Sequence, residues 1–119
     1  MEFHFEQLVV WQEAMDLVEV IYRLTKLFPE EEKFGLVSQL RRAAVSIPAN
    51  IAEGKGRRSN KEYAHFLYNA RGSLYEVVTL LKLARRLRYL SSETLQQTTE
   101  LSESIISKLS GLINYLKGK

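Results

Sequence analysis

One short motif in this sequence has the spacing of a metal site. Glu62-Tyr63-Ala64-His65 is a Glu-x-x-His sequence, which on the helices of a bundle supplies ligands to di-iron carboxylate centres. Such a centre needs a second copy of the motif and two more glutamates, and His4, the other histidine, has no glutamate three residues before it. Because the chain also lacks cysteine, thiolate ligands and a cysteine nucleophile are excluded. We therefore expect no metal, no cofactor, no catalytic residues and no enzymatic activity.

Basic residues surround the junction between the second and third predicted helices. They form the candidate nucleic-acid-binding site: Arg41, Arg42, Lys55, Arg57, Arg58 and Lys61. Guanidinium groups bind phosphates through paired hydrogen bonds, and the glycines of Gly54-x-Gly56 let backbone amides approach the same phosphates. The alternative interpretation is an ordinary solvated surface of arginines and lysines.

The charges of the chain are segregated. The net charge is +3, but the stretch from Arg41 to Arg88 holds 11 basic and three acidic residues, a net of +8, and the remainder has a net of −5. A basic middle between acidic flanks favours a polyanionic partner, either a nucleic acid or an acidic protein. A second basic patch, formed by Lys82, Arg85, Arg86 and Arg88, is expected to complement a helix dipole and to be a solvated face, close enough to the acids at 30–32 for them to neutralise it.

A polar stripe with steps of three and four residues follows the second helix: Gln39, Arg42, Ser46, Asn50, Glu53 and Arg57. Serine and amide side chains mixed with arginine indicate a hydrogen-bonded network or the polar lining of an interface, with Gln39, Ser46, Asn50 and Glu53 as its candidates. In the alternative interpretation, Glu53 forms a salt bridge with Arg42 or Arg57. Four tyrosines lie among the basic residues, where they serve either as core and interface anchors or as stacking platforms for bases: Tyr63, Tyr68, Tyr75 and Tyr89.

Four predicted helices carry these side chains, at residues 8–28, 31–56, 60–89 and 92–117 of a single domain spanning 1–119. Pro29 ends the first helix, Pro48 predicts a kink in the second, and Ser59 with Glu62 forms a capping box that starts the third. The first half of the fourth is so polar that we expect it to fray or to face water. Together these patterns predict an all-α, up-down-up-down antiparallel four-helix bundle. The sequence has no long apolar run and no export signal at its start, so we expect a cytoplasmic protein with no membrane partner.

The predicted helices offer more apolar and small-residue surface than one bundle needs. The first helix has two apolar stripes, and the second and third are rich in alanine, serine and glycine. Gly72 within a helix costs about 1 kcal/mol relative to alanine, which suggests close packing at this position. We expect a homo-oligomer interface; loose packing inside a single bundle is the alternative.

Several motifs resemble those of one bacterial family: Val10-Trp11-Gln12, Gln39-Leu40-Arg41-Arg42-Ala43-Ala44, Asn50-Ile51-Ala52-Glu53-Gly54 and Gly72-Ser73-Leu74. The family is the four-helix-bundle proteins encoded in intervening sequences of bacterial 23S ribosomal RNA genes. The resemblance runs from Phe5 to Leu90, and the fourth helix matches in character only. It implies a bundle that closes into a homopentamer, and kinship with the accessory protein of diversity-generating retroelements, which works with a reverse transcriptase and binds nucleic acid. The resemblance implies no specific biochemical role, because the role of most members of the family is unknown.

The sequence thus predicts a non-enzymatic, homo-oligomeric bundle that binds nucleic acid, with RNA favoured, through a basic surface. The alternative is a protein-interaction scaffold, or an accessory subunit, that presents a basic ring to a partner protein.

Overall fold

The computed structural model describes residues 2–118. This range contains four α-helices and no β-strand: α1 Val9–Thr25, α2 Leu36–Lys55, α3 Asn60–Arg86 and α4 Ser92–Lys117. Short 3-10 turns at His4–Gln7 and Glu30–Glu32 precede α1 and α2. The all-α prediction is confirmed. None of the described helices combines the length and the apolarity that crossing a membrane requires.

The second helix begins at Leu36, five residues after the predicted start at position 31. The acids at Glu30–Glu32 form a separate 3-10 turn instead of the first turn of α2. Gly35, with φ −107° and ψ −108°, separates the two elements. The Glu32 carboxylate accepts a hydrogen bond from the Leu36 amide at 3.1 Å. The acid therefore caps α2 from outside the helix, as expected for a carboxylate near unpaired N-terminal amides.

The polar first half of α4 is helical and partly buried, so the expectation that it frays or faces water holds only for exposed residues such as Gln96 and Gln97. The Ser91 hydroxyl caps the helix by accepting a hydrogen bond from the Thr94 amide at 3.0 Å. Thr98 and Ser102 are buried, and each hydroxyl donates to the carbonyl four residues earlier, at 2.8 and 2.9 Å. These side chains satisfy their polar groups within their own helix, which makes them compatible with a core position.

The four helices enclose one core. α2 packs against α1 and α3, and α4 packs against α3 and α1. Hydrogen bonds set the register of α3 and α4, since Lys117 contacts Tyr68 whereas Ser92 contacts Arg85. Leucine and isoleucine dominate the fully buried side chains, among them Leu17, Ile21, Leu40, Ile47, Leu67, Leu74, Ile105 and Leu109.

α2 and α3 are in close contact at Gly54, which is buried. A Cβ atom at this position would lie 2.9 Å from the Phe66 Cβ and 3.2 Å from the Tyr63 carbonyl oxygen. Only glycine therefore allows the end of α2 to lie against α3. This contact positions the loop that joins them, which carries much of the predicted basic cluster. Pro48 is buried within α2, which continues through it; a kink there stays a prediction.

The turn between α3 and α4 contains a strained residue. Arg88 has φ 66°, and the Tyr89 and Arg88 amides donate to the Ala84 and Arg85 carbonyls, both at 2.9 Å. This pair of bonds defines a Schellman motif, whose left-handed position favours glycine. Arg88→Gly is therefore expected to raise the free energy of unfolding by about 0.5–1 kcal/mol, as measured by urea denaturation.

Lys82→Gly is the control for this substitution. Lys82 is exposed inside α3, where glycine lacks any conformational advantage and is expected to lower the free energy of unfolding by about 1 kcal/mol. Equal destabilisation by both variants would contradict the assignment of strain to Arg88.

Candidate nucleic-acid interface

A groove of about 850 Å³ opens between the start of α3 and the end of α4. Its apolar lining consists of Ala64 and Leu116, both buried. Its polar lining consists of Arg58, Asn60, Lys61, His65, Tyr68 and Lys117. Three of these residues carry full positive charges, and no acidic residue of the described chain lines the groove. The groove is therefore a basic concavity with two aromatic rings.

The start of α3 is fixed by the hydroxyl half of the predicted capping box. The Ser59 hydroxyl accepts a hydrogen bond from the Glu62 amide at 3.1 Å and lies 3.2 Å from the Glu62 carboxylate. With α3 beginning at Asn60, steps of four and three residues place Lys61, His65 and Tyr68 on one face of the helix. Glu62 is thereby held at the cap, outside the groove lining.

Helix ends add to the electrostatics of the groove. The N-terminus of α3 carries a partial positive charge, which favours anions. The C-terminus of α4 carries the opposite partial charge, and the Lys117 ammonium group at that end offsets it. The α3 N-terminus therefore adds to the positive potential of the three cations, and the negative end of α4 is offset by Lys117.

Tyr68 lies against two cations. The Lys117 ammonium donates a hydrogen bond to the Tyr68 hydroxyl at 3.1 Å and lies 5.8 Å from the ring centroid. The Arg71 guanidinium carbon is 5.0 Å from the same centroid, and Arg71 is held by a 3.0 Å hydrogen bond to the Ser110 hydroxyl. Such cation–π contacts orient the ring. Tyr68 nevertheless keeps 38% of its surface exposed, so its ring is accessible from the groove.

The structure separates the six predicted phosphate-binding residues. Arg58 and Lys61 line the groove. Lys55 and Arg57 belong to the same end of the bundle, but each lies over an aromatic ring. The Lys55 ammonium is 5.9 Å from the Tyr63 centroid, and the Arg57 guanidinium carbon is 4.5 Å from the Phe66 centroid. Both residues are exposed, and neither lines the groove.

Arg41 lies far from this end of the bundle. Its Nε donates to the Thr25 hydroxyl at 2.9 Å, and its guanidinium carbon lies 4.5 Å from the Tyr22 ring centroid. At 1.5 Å of rise per residue, Arg41 is about 21 Å along α2 from Lys55. Arg41 therefore joins α2 to α1 and does not reach the groove.

The polar stripe on α2 lies against α3. The Asn50 amide donates to the Ser46 carbonyl at 2.8 Å, and the Ser46 and Ser73 hydroxyls are hydrogen-bonded to each other. A hollow of about 380 Å³ separates the helices here. Its lining includes Gln39, Arg42, Ser46 and Glu76.

Glu53 stands outside this hydrogen-bonded group. Glu53 is exposed, and within residues 2–118 it forms no ion pair with Arg42 or Arg57. The ion pair found in this range joins Glu13 to Lys108, at 2.8 Å.

The family model of the 23S rRNA-intervening sequence proteins matches residues 6–111. The chain belongs to this family. This membership confirms the resemblance found in the sequence motifs. Among solved structures, the chain is similar to a protein of unknown function from the S23 ribosomal protein family of Bacteroides thetaiotaomicron VPI-5482, whose crystal structure was determined at 1.70 Å resolution. The two are 27% identical with a TM-score of 0.82, covering 88% of this chain and 98% of the other. No match was found among curated proteins.

The acids at 30–32 lie at the same end of the bundle as the second basic patch and form no ion pair with it within residues 2–118. Glu32 instead accepts a hydrogen bond from the Tyr89 hydroxyl at 2.9 Å. This hydrogen bond to a carboxylate raises the pKa of Tyr89. Arg85 in turn donates to the Ser92 hydroxyl at 3.0 Å.

Sequence reasoning missed three residues of the groove as members of one site: His65, Tyr68 and Lys117. The predicted antiparallel bundle contained a usable signal. If the fourth helix packs antiparallel to the third and ends at Lys117, that lysine lies close to the start of the third helix. His65 was assessed for metal binding alone; the part of the chain that the structure describes holds no group of three acidic or histidine side chains that could bind a metal ion.

Proposed function

We propose that this 23S rRNA-intervening sequence protein is a non-enzymatic, cytoplasmic homo-oligomer that binds nucleic acid, with RNA favoured. The binding surface is the basic groove and the exposed cations beside it. The observation that carries this proposal is the convergence of Arg58, Lys61 and Lys117 on one concavity with no acidic lining. None of the three forms an ion pair within residues 2–118, so their charges are available to phosphates, which dominate affinity for nucleic acids.

The proposed assembly is an up-down-up-down antiparallel bundle that closes into a homopentamer, the number that the family resemblance implies. The outward-facing small residues support assembly. Gly72 is exposed, and nothing lies within 4 Å of a Cβ built on it. Internal packing therefore does not account for this glycine, whereas a neighbouring copy would. Apolar side chains such as Met15, Val45 and Leu83 are also exposed, as expected for surface that identical copies share.

A direct test of the proposal measures binding of a fluorescein-labelled 20-nucleotide RNA by anisotropy. Lys61→Ala is expected to weaken binding about tenfold, since a charge-assisted hydrogen bond is worth about 1.5 kcal/mol. The slope of log affinity against log salt should fall by about 0.7, the value for one phosphate contact on a single strand.

Lys82→Ala provides the matched control, because Lys82 is an exposed lysine on the same helix, outside the groove lining. If the two alanine variants bind RNA with the same affinity and salt slope as the unmodified protein, the groove is not the RNA site.

The second candidate function is a scaffold that presents the basic surface to a partner protein. Leu27 and Phe34, on either side of the Glu30–Glu32 turn, are 82% and 89% exposed, and exposed apolar side chains favour a protein contact. A defined partner that is retained after nuclease treatment at high salt, and lost from a Leu27→Ser, Phe34→Ser variant, would support this function over RNA binding.

A further inference from the structure

The groove combines cations with exposed aromatic rings. His65 and Tyr68 both line it and are both exposed. Arg58 and Lys61 approach from the start of α3, and Lys117 approaches from α4. Phosphate binding alone requires the cations and makes no use of the rings. A ligand that carries a flat apolar group next to a negative charge fits both features.

We propose that the groove binds an unpaired nucleotide of a single RNA strand. The base stacks on the Tyr68 ring, and the adjoining phosphates contact Arg58, Lys61 and Lys117. This inference rests on the proposed nucleic-acid binding and specifies which form of RNA the site selects. The volume of about 850 Å³ falls within the range of about 300–1,000 Å³ that is usual for sites holding small organic groups.

The selection of single strands follows from which base faces are open. In an RNA duplex each base face is covered by its neighbours, so an aromatic side chain stacks only on bases in loops, bulges, ends and single strands. The phosphates of a duplex remain available to the cations outside the groove. Tyr68 therefore contributes to binding of a single strand and not to binding of a duplex.

Lys117 is placed to change its hydrogen-bond partner when a nucleotide enters the groove. Its ammonium group is hydrogen-bonded to the Tyr68 hydroxyl, and a phosphate entering the groove offers it a stronger, charged partner. When the ammonium moves to the phosphate, the part of the ring that it covers opens to the base. Arg71, fixed by Ser110, remains over the ring and keeps it oriented.

The test compares two substitutions at Tyr68 on two RNAs. A labelled 12-nucleotide single strand and a 12-base-pair duplex are titrated at the same salt concentration. Tyr68→Leu is expected to weaken binding of the single strand about tenfold, in keeping with the loss of one base–aromatic stack. Its affinity for the duplex should change less than twofold. Tyr68→Phe retains the ring and should keep the single-strand affinity within about threefold, which separates stacking from the hydroxyl's hydrogen bond.

Tyr75→Leu is the matched control, because Tyr75 is an exposed tyrosine of α3 outside the groove. It should leave both affinities unchanged. If Tyr68→Leu weakens both RNAs equally, or if Tyr75→Leu has the same effect, base stacking in the groove is wrong although RNA binding stands. If the unmodified protein binds neither RNA, the proposed function itself fails. Polyglutamate that competes equally with the single strand would assign the groove to acidic peptides and overturn the inference.

Discussion

Gly54→Val is expected to lower the free energy of unfolding by about 3 kcal/mol, the upper part of the range for overpacking a core. The added Cβ would lie 2.9 Å from the Phe66 Cβ and 3.2 Å from the Tyr63 carbonyl oxygen. Because the second of these atoms belongs to the backbone of α3, a side-chain rotation does not relieve the clash. The helices must separate, and the loop bearing Arg58 moves with them. Urea denaturation followed by circular dichroism measures the loss.

Gly72→Ala is the control for this prediction, and it also tests assembly. Gly72 lies within α3 with nothing within 4 Å of a built Cβ, so alanine should stabilise the isolated chain by up to about 1 kcal/mol through helix propensity. If identical copies pack on Gly72, the same substitution should weaken their association, and the unfolding midpoint should then depend less strongly on protein concentration. A Gly54→Val variant as stable as Gly72→Ala would contradict the close approach of α2 and α3.

Local signals predicted much of the fold. The hydroxyl half of the Ser59–Glu62 capping box forms as expected, because its hydrogen bond joins residues that are three apart in the chain. Buried side chains such as Leu40, Leu74 and Leu109 follow helical periodicity, which alone places the apolar residues of a helix on one face.

The structure differs from the sequence predictions where contacts between residues that are distant in the chain determine the local structure. Burial of Thr98 and Ser102 depends on the helices that surround α4, and a polar composition does not indicate it. Similarly, Glu32 leaves the predicted helix to cap Leu36 and to bind Tyr89, which is 57 residues away. Neither contact has a signature in the local sequence.

The candidate site was predicted in part. Arg58 and Lys61 come from the loop and first turn that the sequence singled out, because glycines and a capping box mark that place. Arg41 was grouped with them by its closeness in sequence, but a helix carries it about 21 Å away from Lys55. Lys117 joins them from the far end of the chain through packing of α4 on α3. A binding site assembled from two helices is visible in sequence only once their pairing is known.

Reversing the three charges of the groove should have the largest effect on binding. Arg58→Glu, Lys61→Glu and Lys117→Glu together are expected to weaken binding of a 20-nucleotide RNA more than about a hundredfold. Each substitution removes a charge-assisted contact worth about 1.5 kcal/mol and adds a like charge facing the phosphates. Anisotropy titrations at 50 mM and 200 mM salt measure the loss.

The matched control reverses three exposed charges outside the groove lining, Lys26, Lys82 and Arg86. Both triple variants change the net charge of the chain by the same amount. If total charge alone determined binding, both variants would lose RNA affinity equally, which would contradict a localised site. The salt dependence adds an independent criterion. Three phosphate contacts on a single strand give a slope of about −2 in log affinity against log salt, or about a twentyfold loss between these two conditions. If the unmodified protein gives a steeper slope, and dilution below the dissociation constant of the oligomer lowers that slope to the value for one groove, several grooves of one assembly contact the same RNA.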